Sequence, residues 1–192
     1  MPTVIVATGN PGKLAEMQTY LAVLGWHLAL KPDDIDVDET GATFLENARL
    51  KASEVAKATG KWAIADDSGL AVDALDGAPG IYSARYGATD TARIERLLTA
   101  LGQISHRQAQ FVCALALARP DGSIALETEG VCPGEITQRP SGIGGFGYDP
   151  IFYVPSAGKT FAEMTRAEKD RISHRGVAFA QIMPALESLQ IP

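Results

Sequence analysis

The segment Thr8-Gly9-Asn10-Pro11-Gly12-Lys13 follows a short β-branched run and precedes a helical pattern. Glycines let backbone amides approach an anion, a helix N-terminus adds roughly half a positive charge, and Lys13 adds a full one. Phosphate binding is the chemistry these residue types suggest. The spacing is not that of a P-loop, because Gly9 and Gly12 are separated by two residues and Leu14 rather than Ser or Thr follows Lys13. A tight strand-to-helix turn with a solvated lysine is the competing reading.

Carboxylates occur in two places. In Asp33-Asp34-Ile35-Asp36-Val37-Asp38-Glu39, the Asp-x-Asp-x-Asp that begins at Asp34 imitates a calcium loop. The sixth position is Glu39 instead of Gly and the twelfth is Leu45 instead of Glu, which excludes an EF-hand. The early aspartates read as solvated surface. Glu39 directly precedes Thr40-Gly41 and a capped helix, which would fix its position. The second place is Ala65-Asp66-Asp67-Ser68-Gly69, read as two acids where a short apolar strand, Trp62 to Ala65, ends. Burying them costs desolvation unless a cation or donor answers them. The Asp-x-Asp of a haloacid-dehalogenase phosphatase and the Gly-x-Ser-x-Gly of a serine-hydrolase elbow are both missing. Oxygen ligands favour Mg²⁺ or Mn²⁺, and His27, His106 and His174 show no zinc spacing.

Three further groups have chemical potential. Asn47 and Lys51 lie four apart after Thr43, which suits either a solvated polar stripe or a lysine facing the same cleft as Lys13. Gly145-Phe146-Gly147-Tyr148-Asp149 sets an aromatic between glycines, either a base-stacking platform or a loop anchored by core aromatics. Ser173-His174-Arg175-Gly176 offers donors to a carbonyl or a phosphate.

The elements that must position these groups follow from periodicity. Thr3 to Ala7 reads as a buried strand, and Leu14, Met17, Leu21 and Leu24 as a helix beginning near Lys13. A strand near His27 to Lys31 follows. Thr43-Phe44-Leu45-Glu46 has the capping-box pattern, predicting a helix to about Thr59 that Gly60 stops. Ile94, Leu97, Leu98 and Leu101 mark a helix capped near Thr89 or Asp90. Alternation from Ala109 to Leu117, the turn Arg119-Pro120-Asp121-Gly122 and a strand from Ser123 to about Val131 predict a long antiparallel hairpin. Thr160 and Glu163 suit the cap of a short helix. Phe179, Ile182, Met183 and Leu186 define a last helix, with Pro184 inside it. Strands alternating with helices before a hairpin indicate an α/β protein with a mixed sheet, whose ligand sites belong at the strand ends.

Composition narrows the function classes. Of 192 residues, 46% are hydrophobic and 21% charged, which excludes wholesale disorder. No linker divides the chain, so a single domain over residues 1–192 is expected. A net charge of −6 disfavours a nucleic-acid binder that relies on phosphate contacts. No apolar run approaches the ~18 residues of a membrane span, and the N-terminus lacks signal-peptide features. Cys113 and Cys132 make no disulfide framework, and Cys113 reads as core. A cytoplasmic protein is expected.

In order, these segments resemble the inosine-triphosphate pyrophosphatase family, most closely its bacterial dITP/XTP pyrophosphatase branch. The likeness also includes Gly77-Ala78-Pro79-Gly80-Ile81-Tyr82-Ser83-Ala84-Arg85-Tyr86 and covers essentially the whole chain. Each segment alone is weak; seven in the right order are specific. The resemblance implies a homodimer of elongated α/β subunits with a central substrate cleft. It also implies Mg²⁺-dependent hydrolysis of deaminated purine triphosphates to monophosphate and pyrophosphate, with Mn²⁺ a substitute ion. In this numbering Thr8, Gly9, Asn10, Pro11, Gly12 and Lys13 would hold the phosphates with Lys51. Glu39 and Asp67 would hold the metal, with Asp67 as general base, and Ser68 would touch the substrate. Phe146, Gly147, Tyr148 and Asp149 would line the nucleoside pocket, completed by Lys169, His174 and Arg175. Two other readings are a phosphotransferase using the Gly-Lys loop, disfavoured by its spacing, and a nucleotide sensor without turnover, which has no need of a water-activating carboxylate.

Overall fold

The computed structural model describes residues 1–9 and 11–191; of Pro11 and Gly12 it describes the backbone alone. Seven strands form one sheet in the order β2-β1-β3-β4-β5-β6-β7. They are β1 (Thr3–Val6), β2 (His27–Leu30), β3 (Trp62–Val72), β4 (Gln108–Ala118), β5 (Ile124–Ile136), β6 (Phe152–Val154) and β7 (Lys159–Thr160). The helices are α1 (Pro11–Leu21), α2 (Phe44–Thr59), α3 (Asp90–Leu101), α4 (Arg166–Ile172) and α5 (His174–Glu187). β1 runs parallel to β2 and β3, whereas β6 is antiparallel to β5 and β7. The sheet is therefore mixed, as the element order predicts. Among the described residues no helix is long and apolar enough to cross a membrane.

The chain divides into two compact units, and β3, β4 and β5 run through both. The first comprises residues 1–67, 114–129 and 178–192. Its core sets Ala48, Ala52, Val55 and Ala56 of α2 against Ile5, Ala63, Ala65, Ala114 and Ala116 of the strands. So many alanines bring the helix backbone close to the sheet, which fixes where the longer polar residues of α2 project. The second unit comprises residues 68–113 and 130–177. Its core is built on Leu70, Leu97, Phe111, Ile136, Phe152 and Phe161.

Two predicted boundaries are corrected. β3 does not end at Ala65 but continues through Asp66 and Asp67 to Val72. Cations answer both acids within the first unit, so the backbone keeps its ladder there. β5 extends past Val131 to Ile136, with Cys132, Gly134 and Ile136 turned inward. A Cβ on Gly134 would lie 2.6 Å from Phe152 Cζ, so a residue without a side chain continues the strand there.

The caps also differ in detail. Thr43 Oγ1 accepts from Glu46 N at 3.1 Å, but the Glu46 carboxylate reaches back to Ala42 N, at 2.6 Å, instead of to the cap. Gly60 ends α2 at φ 63°, the left-handed turn expected of a C-terminal glycine. Thr160 and Glu163 form a reciprocal box around a single 3-10 turn, Phe161–Glu163. The helix lies further on, where Thr165 and Glu168 repeat the box at the start of α4. α4 has seven residues and none is buried, so no apolar period announces it.

Candidate functional site

In the first unit, α1 and α2 deliver lysines to acids held by β3 and by the loop before α2. Lys13 Nζ donates to Asp66 Oδ1 at 2.9 Å. Lys51 Nζ donates to Glu39 Oε1 at 2.8 Å and to Asp67 Oδ1 at 2.9 Å. A single ammonium thus spans the two carboxylates that lie 28 positions apart in the chain. Lys51 is not part of a solvated stripe: it is 9% exposed and Asn47 is fully buried. Asn47 Oδ1 accepts from Gly41 N at 2.8 Å, tying the Glu39-Thr40-Gly41 turn to α2. A Cβ on Gly41 would lie 2.7 Å from that oxygen, so the tie requires glycine.

The electrostatics of the pair are uneven. Burial alone would push the Lys51 ammonium down, but Asp67, Asp66 and Glu39 outweigh it and hold its pKa above the ordinary lysine value. Burial lifts the Asp67 carboxyl above its ordinary value, although Lys51 pulls the other way. Asp67 Oδ2 is buried and meets no hydrogen-bond partner. A buried carboxylate oxygen without a partner is costly in a resting protein and useful to a ligand that completes it.

A cavity of about 200 Å³ opens here, lined by Thr8, Gly9, Lys13, Lys31, Asp36, Glu39, Lys51 and Asp66. It unites the glycine-loop lysine with the α2 lysine, the alternative left open by the helix spacing. Asn10 lies outside the described residues, as does the side chain of Pro11. Asp33, Asp34 and Asp38 are exposed, as expected of a solvated run, but Asp36 contributes to the cavity wall.

The donor set suits a hard divalent ion. Mg²⁺ is usually held by one or two carboxylates together with substrate phosphates. Glu39, which lines the cavity, and Asp67, joined to it through Lys51, are two such carboxylates, and Asp67 Oδ2 makes no hydrogen bond. Among the described residues no three His, Cys, Asp or Glu side chains cluster as a metal cage.

The second unit builds a different site. Asp149, 3% exposed, accepts from Phe146 N at 2.9 Å and from Lys169 Nζ, so it clamps the glycine loop to α4. Gly147 N donates to Asp90 Oδ2 at 2.7 Å, and Tyr148 donates from its hydroxyl to Ser83 O at 2.9 Å. Tyr148 is 4% exposed and burial raises its phenol pKa, so it serves as the loop's anchor. Phe146 remains 57% exposed, its ring 4.9 Å from Lys169 Nζ. The His174 ring stacks on Phe111 at 4.7 Å and 13°, and Arg175 Nη2 donates to Ser68 Oγ at 3.3 Å. Of the expected nucleoside residues, Phe146 offers an open face, while Tyr148 and Asp149 are the buried supports behind it.

Asp66, Asp90 and Ser83 have roles that sequence reasoning missed. Asp66 aims Lys13, Asp90 holds Gly147, and Ser83 accepts the Tyr148 hydroxyl. Only the quoted motifs around Asp66 and Ser83 hinted at them; Asp90 reads from the sequence as a candidate cap of α3, a place that Thr89 takes.

The mixed α/β fold is shared with solved structures. Residues 4–185 match the model of the Ham1 family, so the chain belongs to that family. It is 68% identical over 183 residues to the dITP/XTP pyrophosphatase of Synechocystis sp., covering 95% of this chain and 94% of that protein. It is 64% identical to the dITP/XTP pyrophosphatase of Nostoc sp., covering 96% and 94%. Among solved structures, a HAM1 protein from Coxiella burnetii superposes with a TM-score of 0.92 at 45% identity, covering 98% of this chain and all of that one. The Staphylococcus aureus Ham1 protein gives 0.89 at 44% identity, covering 97% and 98%.

Proposed function

We propose that this chain hydrolyses deaminated purine nucleoside triphosphates, ITP, dITP and XTP, to the monophosphate and pyrophosphate, removing them from the nucleotide pool. The observation that carries the reading is the unpartnered Asp67 Oδ2 beside the Lys51–Glu39 bridge. Membership of the Ham1 family and relatives named dITP/XTP pyrophosphatase support the substrate class.

Lys13, Lys51 and the amides of the Thr8–Lys13 loop hold and neutralise the triphosphate. Glu39 and Asp67 would hold Mg²⁺, with Mn²⁺ a substitute; the bound ion would neutralise phosphate charge and lower the pKa of a nearby water. Asp67 accepts the proton of the attacking water. The water oxygen bonds to one of the two phosphorus atoms flanking the α–β bridge, the bond from that phosphorus to the bridging oxygen breaks, and monophosphate and pyrophosphate separate. Phe146 stacks on the base, with Gly147, Tyr148 and Asp149 shaping its loop. Lys169, His174, Arg175 and Ser68 supply donors. A donor facing position 6 pairs with the carbonyl of hypoxanthine or xanthine and rejects the amine of adenine.

The enzyme acts as a cytoplasmic homodimer in this reading. The test is product analysis: ITP or XTP with Mg²⁺ gives monophosphate plus pyrophosphate, and ATP is nearly inert. Release of orthophosphate, or tight ITP binding without product, would overturn the proposal. Light scattering at twice the monomer mass checks the dimer.

A further inference from the structure

We infer that Lys31 is a third phosphate-binding cation of the Lys13–Lys51 cavity, serving the pyrophosphate portion of the substrate; this rests on the pyrophosphatase reading above. Lys31 N donates to Val6 O at 3.0 Å, which extends the β1–β2 pairing by one residue and sets Lys31 beside the start of the Thr8–Lys13 loop. Its Nζ donates to the carbonyl of Ile35, and the side chain lines the same cavity as Lys13 and Lys51.

What separates the three lysines is what already neutralises them. Lys13 is paired with Asp66, and Lys51 with both Glu39 and Asp67. An arriving polyanion must compete with those carboxylates. Among the described residues no carboxylate lies within ion-pair distance of Lys31, even though Asp36 shares the cavity wall. Its bond is to a neutral carbonyl, and an ammonium has three donors. Lys31 therefore offers a full charge and further N–H groups to phosphate without breaking an ion pair. It bonds neither Glu39 nor Asp67, so it acts on binding of the polyphosphate and not on the proton transfer.

The experiment compares the unaltered protein with Lys31→Gln and Lys31→Arg. Inorganic pyrophosphate and IMP are each titrated calorimetrically with Mg²⁺ present, and XTP hydrolysis is measured alongside. Removing a charged donor should weaken pyrophosphate binding about tenfold. KM for XTP should rise with it, while kcat and IMP affinity stay nearly constant and Lys31→Arg restores binding. Unchanged pyrophosphate affinity in Lys31→Gln would overturn the inference. So would an equal loss for IMP and pyrophosphate with a lowered melting temperature, which is the signature of a tether for Ile35 alone. Failure of the unaltered protein to bind pyrophosphate overturns it as well. Should pyrophosphate bind through Lys31 while XTP is left intact, the phosphate site stands and the pyrophosphatase reading falls.

Discussion

Lys51 Nζ lies 2.9 Å from Asp67 Oδ1, joining residues 16 apart that come from a helix and a strand. The same ammonium holds Glu39, so one buried cation organises both acids while the second oxygen of Asp67 stays unmatched. Such an arrangement stores readiness for a ligand at the expense of stability.

Asp67→Asn should therefore lower kcat by roughly 10²–10⁴-fold, the usual contribution of a positioned general base. The protein should stay folded, because the amide fits the same space and escapes the desolvation of a charge. Steady-state kinetics with far-ultraviolet circular dichroism checks this; wild-type rates in the folded variant would remove Asp67 from the chemistry.

The pH dependence of stability has a definite sign in chelator-treated protein. Burial raises the Asp67 carboxyl above its ordinary value of 3.8, so the native state binds this proton more readily than the unfolded chain. Its contribution is thus most favourable below that value and declines as pH rises through the raised native pKa. Melting temperatures of wild type minus Asp67→Asn should fall across that window. A flat or rising difference would contradict the raised carboxyl.

Phe146→Ala should separate binding from folding. The ring is more than half exposed, so stability should change by less than about 0.5 kcal/mol. KM for ITP should rise about 5- to 150-fold through lost base stacking, worth about 1–3 kcal/mol. An unchanged KM would exclude the ring from the nucleoside pocket.

Tyr148→Phe should show the opposite balance. Its buried hydroxyl bonds Ser83 O at 2.9 Å, and deleting it leaves that carbonyl without this donor. A loss of about 1–2 kcal/mol is expected, or roughly 2–8 °C in melting temperature for a chain of this size. Calorimetry would detect it, and an undiminished melting temperature would refute the anchoring role.

Gly145→Ala should disturb the same loop from its other end. Gly145 has φ 72°, and a Cβ there would overlap Asp149 Oδ2, the oxygen that holds Phe146 N and Lys169. KM should rise more than for Phe146→Ala, with a lower melting temperature, since backbone strain and a displaced carboxylate act together. Kinetics and melting curves matching wild type would show that Asp149 does not need its present position.

Local pattern was enough for much of this molecule. Alternation and helical spacing located α2, α3, β1, β4 and their caps, because each signal lies within one element and burial of one face enforces it. The phosphate loop and the strand acids were legible for a similar reason: glycine freedom and buried charge are properties of residue type. Tertiary structure decided which charges meet. No spacing rule joins Glu39 to Lys51 and Lys51 to Asp67, distinguishes buried Lys51 from a solvated stripe, or brings Lys31 to the cavity wall. Those facts depend on how closely an alanine-lined helix packs on a sheet. It also carried β3 through Asp66 and Asp67, since a strand can bury acids only where cations distant in the chain arrive to neutralise them.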